Sequence, residues 1–234
     1  MHNDKSIMAL VPARGGSKRL PNKNILDFNG CPLIARSIYA AQKSKYIDSI
    51  VVSTDDLAIA KIASECGADV PFSRPEQLAT DSSTSNDVIL HMLASVDQKP
   101  DILMLLQPTS PLRRTIDIDK CIELLFEKSA DGIVSVTECE HPPIWTNFLP
   151  DDGCMENFVR QEQLKASQKF PTYYRLNGAI YCFKSDYLLK NKGIHYGKKV
   201  YAYLMEREHS VDIDVQHDFD YALYLDRKTC GSKT

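Results

Sequence analysis

The sequence predicts an α/β fold built on a parallel sheet covered by helices on both sides. Three observations carry that reading. Short apolar runs such as Ile102–Leu106 show no polar alternation, as strands buried on both faces require. Segments with apolar residues at helical spacing alternate with these runs along most of the chain. The 234 residues, 25% of them charged, suit one full domain with a small insert.

In order, Ile7–Val11 is a buried strand that ends in a proline and a glycine pair. Leu33, Ile34, Ile38 and Ala41 recur at helical spacing and predict a helix over 33–44. Ile50–Val52 is a second strand, stopped by SerThrAspAsp, whose carboxylates suit the N-terminus of the helix Leu57–Cys66. Gly67 ends that helix, and a short strand is expected near Asp69–Phe72. Val88–Val96 is helical, with Ser85 or Asn86 as its cap. Ile102–Leu106 and Ile133–Val136 are strands that flank a helix at Ile116–Phe126. The pattern loosens from Glu138 to Tyr174, a turn-rich stretch that marks an insert or a subunit contact. Strands at Asn177–Phe183 and Val200–Met205 follow, then a helix at His217–Arg227 with Phe219, Leu223 and Tyr224 on one face.

Composition narrows the function classes. Lys+Arg 28 against Asp+Glu 31 gives a net charge of −3, which argues against nucleic acid or an anionic membrane as partner. No apolar run approaches the roughly 18 residues of a membrane span, and the first strand is too short for a signal-peptide core. The seven cysteines are odd in number and none stands in a CxxC spacing, so reduced thiols in the cytoplasm are expected rather than disulfides or zinc.

In a parallel sheet the ligand lies beyond the carboxyl ends of the strands. The segment after the first strand, residues 12–24, carries Gly15 and Gly16 with Arg14, Lys18, Arg19 and Lys23. Glycines that let a backbone approach closely, with converging cations, suit a polyphosphate; the competing reading is a solvated basic loop. Neither a Walker A loop nor a GxGxxG fingerprint is present. Asp212 and Asp214 face the same way in an extended segment and repel unless a cation such as Mg²⁺ lies between them; the alternative is a surface turn or helix cap. Gln107, Thr109 and Ser110 offer compact hydrogen-bonding groups after the Ile102–Leu106 strand, to orient a sugar or base or to cap a rigid connection. Arg175, Asn177 and Tyr181 share a strand and face the site or form ordinary cross-strand pairs.

These four segments, 11–24, LeuGlnProThrSerProLeuArg at 106–113, ArgLeuAsnGlyAlaIleTyr at 175–181 and SerValAspIleAsp at 210–214, occur in the order found in CMP-sialic acid synthetases (acylneuraminate cytidylyltransferases). The chain resembles that family from about residue 7 to 228. The resemblance implies a Rossmann-like nucleotidyltransferase fold with a mostly parallel sheet. It divides the chain into a nucleotidyltransferase domain, 1–138 with 175–234, and a small dimerisation extension, 139–174, that closes the site of a second copy. It implies that CTP and a nine-carbon 2-keto sugar acid give the CMP-sugar and diphosphate.

Carried over, Arg14, Ser17, Lys18, Lys23 and Asn24 match the nucleotide loop, and Arg74 and Ser85 lie near the cytosine. Gln107 and Thr109 match the sugar-facing loop, and Arg175, Asn177 and Tyr181 match later sugar and nucleotide contacts. Asp212 and Asp214 match the magnesium carboxylates. Lys18 and Arg14 would stabilise the leaving diphosphate. Two departures bear on the sugar: Trp145 stands where N-acetylneuraminate users carry lysine, and Ser167 where they carry arginine, unless Arg160, Lys165 or Lys169 substitutes. A deoxygenated, diacylated acid such as legionaminic or pseudaminic acid is the alternative substrate. A glycosyltransferase using Asp212-x-Asp214 is the remote one, disfavoured because the cationic loop opens the chain while the carboxylate pair closes it.

Overall fold

The computed structural model describes residues 4–160, 164 and 170–231. Six strands form one sheet: β1 (Ile7–Pro12), β2 (Ser49–Ser53), β3 (Ile102–Leu106), β4 (Gly132–Glu138), β5 (Tyr174–Lys184) and β6 (Val200–Leu204). Their order is β2-β1-β3-β5-β4-β6. Pairs β1–β2, β1–β3 and β4–β6 are parallel, whereas β5 runs antiparallel to both β3 and β4. The sheet is thus mostly parallel, as expected, with β5 the one antiparallel strand. Among the described residues no α-helix separates β4 from β5. The chain leaves at Glu138 and returns at Tyr174, directly opposite, as an antiparallel pair allows. The Cys139 N–H extends the ladder to the Tyr173 carbonyl at 2.8 Å. The described residues of 139–173 hold one short helical turn, Pro143–Trp145, and project from those two strand ends.

Helices α1 (Leu33–Gln42), α2 (Leu57–Glu65) and α4 (Thr115–Glu127) accompany one apolar layer, in which Ile34, Ile38, Ala63, Ile118 and Ile122 pack on Ile7, Ala9, Met104 and Cys182. Helices α3 (Ser85–Ser95) and α5 (Ser185–Asn191) supply the other layer, where Val88, Met92 and Leu188 meet Leu10, Leu105 and Phe183. Helix α6 (Gln216–Gly231) belongs to a third cluster, with Leu20, Phe28, Leu33, Leu112, Ile213, Phe219, Ala222 and Leu225. This cluster ties together the loops after β1 and β3 and the segment that enters α6. No helix among the described residues is long and apolar enough to cross a membrane.

Three local expectations change, and one helix is added. Residues 69–73 form two isolated bridges, Val51–Asp69 and Thr54–Ser73, rather than a strand. Helix α3 is capped by Thr84, whose hydroxyl accepts from the Asp87 N–H while Asp87 accepts from the Thr84 N–H, so Ser85 is the first helical residue. Helix α6 buries Phe219, Ala222 and Leu225, while Tyr224 is exposed. Helix α5 was not legible as a periodic segment; it is short, and only Ser185 and Leu188 are buried along it. The aspartates after β2 act as expected, for Asp56 accepts from the Ala58 and Ile59 N–H groups at 2.7 and 3.0 Å.

Candidate active site

The chain passes from β1 outward to β2 and then back across β1 to β3, so the sheet's direction of growth reverses between β1 and β3. A ligand crevice is expected at that reversal, outside the strands' carboxyl ends. A cleft of about 270 Å³ lies there, lined by the loop after β1, residues 74–88, the loop after β3 and Asp214. It brings together Arg14, Ser17, Lys18, Lys23, Asn24, Arg74, Ser85, Gln107 and Thr109.

Each wall is fixed by the fold. Asn24 is buried and donates to the Arg14 carbonyl at 3.0 Å, which closes the cationic loop on itself. Gly15 is needed for packing, a role the sequence alone did not show. A Cβ there would stand 2.7 Å from Asp56 Oδ2, and its N–H donates to Asp55 at 3.1 Å. Gly16 alone of the pair faces open space. Arg74 is 5% exposed and is anchored at the end of β2, donating to the Ser53 hydroxyl at 3.1 Å and to the Ser53 carbonyl. Burial pushes its guanidinium down to about 10, against the attraction of Asp55. Arg113, wholly enclosed, donates to the carbonyls of Gln107 and Ala179 at 3.2 and 2.9 Å and to Ser37, and so holds the loop after β3 in place.

Asp212 and Asp214 share a side because Ile213 between them is 0% exposed in the third apolar cluster. The Ile213 N–H donates to the Thr109 carbonyl at 2.8 Å, and its carbonyl accepts from Lys23 Nζ at 2.7 Å. The carboxylate segment is therefore strapped between the two loops that line the cleft. Asp214 meets Arg19 at 3.1 Å and Lys23 at 3.6 Å. Desolvation lowers the Lys23 ammonium, opposed by Asp214 and Asp212. Asp212 is raised, first by the protein packed around its carboxyl and then by the like charge of Asp214, while a hydrogen bond from Thr109 acts the other way. Solvent still reaches Asp212.

Tyr181 is placed within electrostatic reach of Asp212, and burial pushes its phenol up to about 12. Gly178, at φ 75°, puts the backbone of β5 against Gln107; a Cβ there would lie 3.1 Å from Gln107 Oε1 and 4.0 Å from Asp212 Oδ2. Arg175 and Asn177 are not brought to the cleft. Arg175 stands at the exposed end of β5, 3.0 Å from Glu140. Asn177 is 2% exposed and spends its amide on Ser135, Ser210 and the Ala179 N–H at 2.6, 2.9 and 3.1 Å, at the irregularity where the β4–β5 register shifts. Its observed part is to hold β5. Trp145 packs edge-on against Phe170, ring centroids 6.0 Å apart, and Arg160 is exposed. Ser167, Lys165 and Lys169 lie outside the described residues.

The sequence reading missed Asp81, which lines the cleft and pairs with both Arg14 and Lys18. Its local context, a run of threonine, serine and aspartate before a helix, says only that the segment is polar.

The chain matches the family described as cytidylyltransferase over residues 8–230. It belongs to that family. This cytidylyltransferase is 36% identical over 219 residues to a CMP-N,N'-diacetyllegionaminic acid synthase of Legionella pneumophila, covering 91% of this chain and 93% of the relative. It is 37% identical over 224 residues to an N-acylneuraminate cytidylyltransferase of Escherichia coli O18:K1:H7, covering 95% of this chain but 52% of that relative, about half its length. Its fold is similar to a CMP:2-keto-3-deoxy-manno-octonic acid synthetase solved with CTP, with TM-score 0.73 at 15% identity over 96% of this chain and 99% of the other.

Proposed function

We propose that this cytidylyltransferase activates a nonulosonic acid: CTP and an N-acylneuraminate give CMP-N-acylneuraminate and diphosphate. The observation that carries the reading is the convergence, on one cleft at the reversal of the sheet, of the cationic loop 12–24 with the loop after β3 and Asp214. Such a cleft has cations for a triphosphate on one side and amide, hydroxyl and carboxylate groups for a sugar acid on the other.

In this reading the anomeric hydroxyl of the sugar forms a bond to the α-phosphorus as the bond to the β-phosphate oxygen breaks, and the hydroxyl gives its proton to solvent water. Arg14 and Lys18 receive the leaving diphosphate, where charge accumulates. Arg74, held by Ser53, and Ser85, at the start of α3, face the cytosine end. Gln107, Thr109 and Tyr181 orient the sugar; the Tyr181 hydroxyl, pushed up to about 12, stays protonated and donates rather than acting as a base. Among the described residues no group of three or more His, Cys, Asp or Glu gathers, so a metal would meet the Asp212 and Asp214 pair alone. Two carboxylates on one side of an extended segment, with room left for water and phosphate oxygens, are a donor set suited to Mg²⁺. When bound there, Mg²⁺ would draw charge from the phosphates and lower the pKa of the attacking hydroxyl. Lys23 keeps the pair in place through the Ile213 carbonyl and Asp214.

Residues 139–174 are proposed to cross to a second copy in a homodimer, which would cover Phe148, Leu149 and Met155, exposed at 95%, 62% and 59%. Work in the cytoplasm suits the free thiols of the described cysteines. A second reading keeps the reaction and replaces the sugar by legionaminic or pseudaminic acid; Trp145, in an aromatic cluster with Phe170 and His141, supports it because it puts an apolar face where a cation would serve N-acetylneuraminate. Diphosphate release from CTP and Mg²⁺, measured across N-acetylneuraminic, legionaminic and pseudaminic acids and eight-carbon Kdo, separates these. Highest kcat/KM with N-acetylneuraminate supports the first reading, preference for a deoxygenated acid supports the second, and no release with any acid overturns both.

A further inference from the structure

Arg14 and Lys18 are already engaged by a carboxylate. Asp81 Oδ1 lies 2.6 Å from Arg14 Nη2, and Asp81 Oδ2 lies 2.7 Å from Lys18 Nζ. Each carboxylate oxygen takes one cation, as two oxygens of a diphosphate would. The residue is presented by a turn that holds itself together. Thr80 Oγ1 lies 2.9 Å from the hydroxyls of both Ser82 and Ser83, and Ser83 donates to the Gln77 carbonyl at 3.0 Å. The Thr84–Asp87 cap then fixes the start of α3. The loop after β1 reaches across the cleft to this turn, and Arg14 also donates to the Ala79 carbonyl at 3.5 Å. The side chains of Lys18 and Asp81 are 80% and 49% exposed, so the pairs are open to exchange with an incoming anion. Lys18 and Arg14, in that order, hold the Asp81 carboxyl below its usual range.

We propose that Asp81 is a built-in stand-in for the diphosphate: it occupies Arg14 and Lys18 in the empty enzyme, is displaced by the β- and γ-phosphates of the nucleotide, and takes the cations back as diphosphate departs. This rests on assigning Arg14 and Lys18 to the leaving group. It makes Asp81 a positioning residue. The carboxylate keeps the two cations directed into the cleft between turnovers. It weakens the hold on the product by competing for the same two groups. The effect is confined to ligands that reach those cations, since the two carboxylate oxygens are engaged by Arg14 and Lys18.

Isothermal titration of inorganic diphosphate and of CMP into the wild-type enzyme and Asp81→Asn tests this, with a thermal melt showing that the half-exposed substitution leaves the fold intact. Asp81→Ser repeats the comparison with the amide removed. Loss of the two competing ion pairs is expected to tighten diphosphate binding about three- to tenfold. CMP, which lacks the β-phosphate, is expected to bind unchanged. Diphosphate binding that is equal or weaker in both variants overturns the proposal, as does equal tightening for CMP, which would report only the change in net charge. Tighter diphosphate binding in an enzyme that transfers cytidylyl groups to no sugar acid would keep the role of Asp81 and discard the reaction. Normal transfer with unchanged diphosphate affinity would do the reverse.

Discussion

Lys23 does two tasks with one ammonium: it supports the Ile213 carbonyl and it faces Asp214. Asp212, two residues earlier, has no cation in hydrogen-bonding contact among the described residues and carries the repulsion of its neighbours. That asymmetry makes Asp212 the more sensitive site of substitution. Asp212→Asn preserves the shape and the Thr109 contact but removes the charge, so kcat at saturating Mg²⁺ is expected to fall on the order of a hundredfold with Tm unchanged. Near-normal turnover would remove Asp212 from the reaction. The carboxylate pair was legible because Ile213 alternates with it, and period two puts Asp212 and Asp214 on one side wherever Ile213 is buried. Asn177 misled for the opposite reason. Its neighbours at 175–181 matched a site motif, yet only the packed structure shows its amide fully used by Ser135, Ser210 and Ala179. Asp81 was illegible because its meaning comes from Arg14 and Lys18, more than sixty positions away in the chain.

At the scale of elements, the short connections carry the site and the long ones carry the surprises. The apolar runs of β1, β2 and β3 and the period of α1, α2 and α4 could be read directly, since each records burial in its own spacing. The direction of β5 could not, because an apolar strand reads alike in either sense, and only the 139–173 excursion with its return opposite Glu138 sets it. The end of β2 shows how an element boundary serves the cleft. Asp56 caps α2, while neighbouring Asp55 receives the Gly15 N–H and so docks the cationic loop on the same helix start. Asp56→Ala removes the cap and is expected to cost about 1 kcal/mol. That lowers Tm by roughly 2–4 °C in a chain of this size. Calorimetry checks it; an unchanged Tm would mean that water replaces the cap without loss.

For the whole molecule, burial of ionisable groups sets an alkaline limit. Desolvation pushes the Cys182 thiol up to about 12 and raises Cys121 well above its ordinary 9.0. Both thiols ionise in the unfolded chain near 9 but stay protonated in the fold. The folded state then binds more protons, and stability is lost as pH rises above about 8. Melts between pH 8 and 10 should show Tm falling, with exposed Cys154 reacting with a thiol reagent in the native protein and Cys121 and Cys182 reacting only on unfolding. A flat Tm over that interval would contradict the burial account. The same packing lets one cleft hold opposite chemistries, because the third apolar cluster anchors the loop after β1, the loop after β3 and the Asp212–Asp214 segment together. Product analysis tests whether that arrangement joins a nucleotide to a sugar acid. Phosphorus NMR of enzyme, Mg²⁺, CTP and a nonulosonic acid should show one diphosphate and one CMP-sugar phosphodiester appearing together, with neither formed when the acid is left out. Diphosphate released without the acid, or CTP unchanged in the presence of every acid tried, would contradict it.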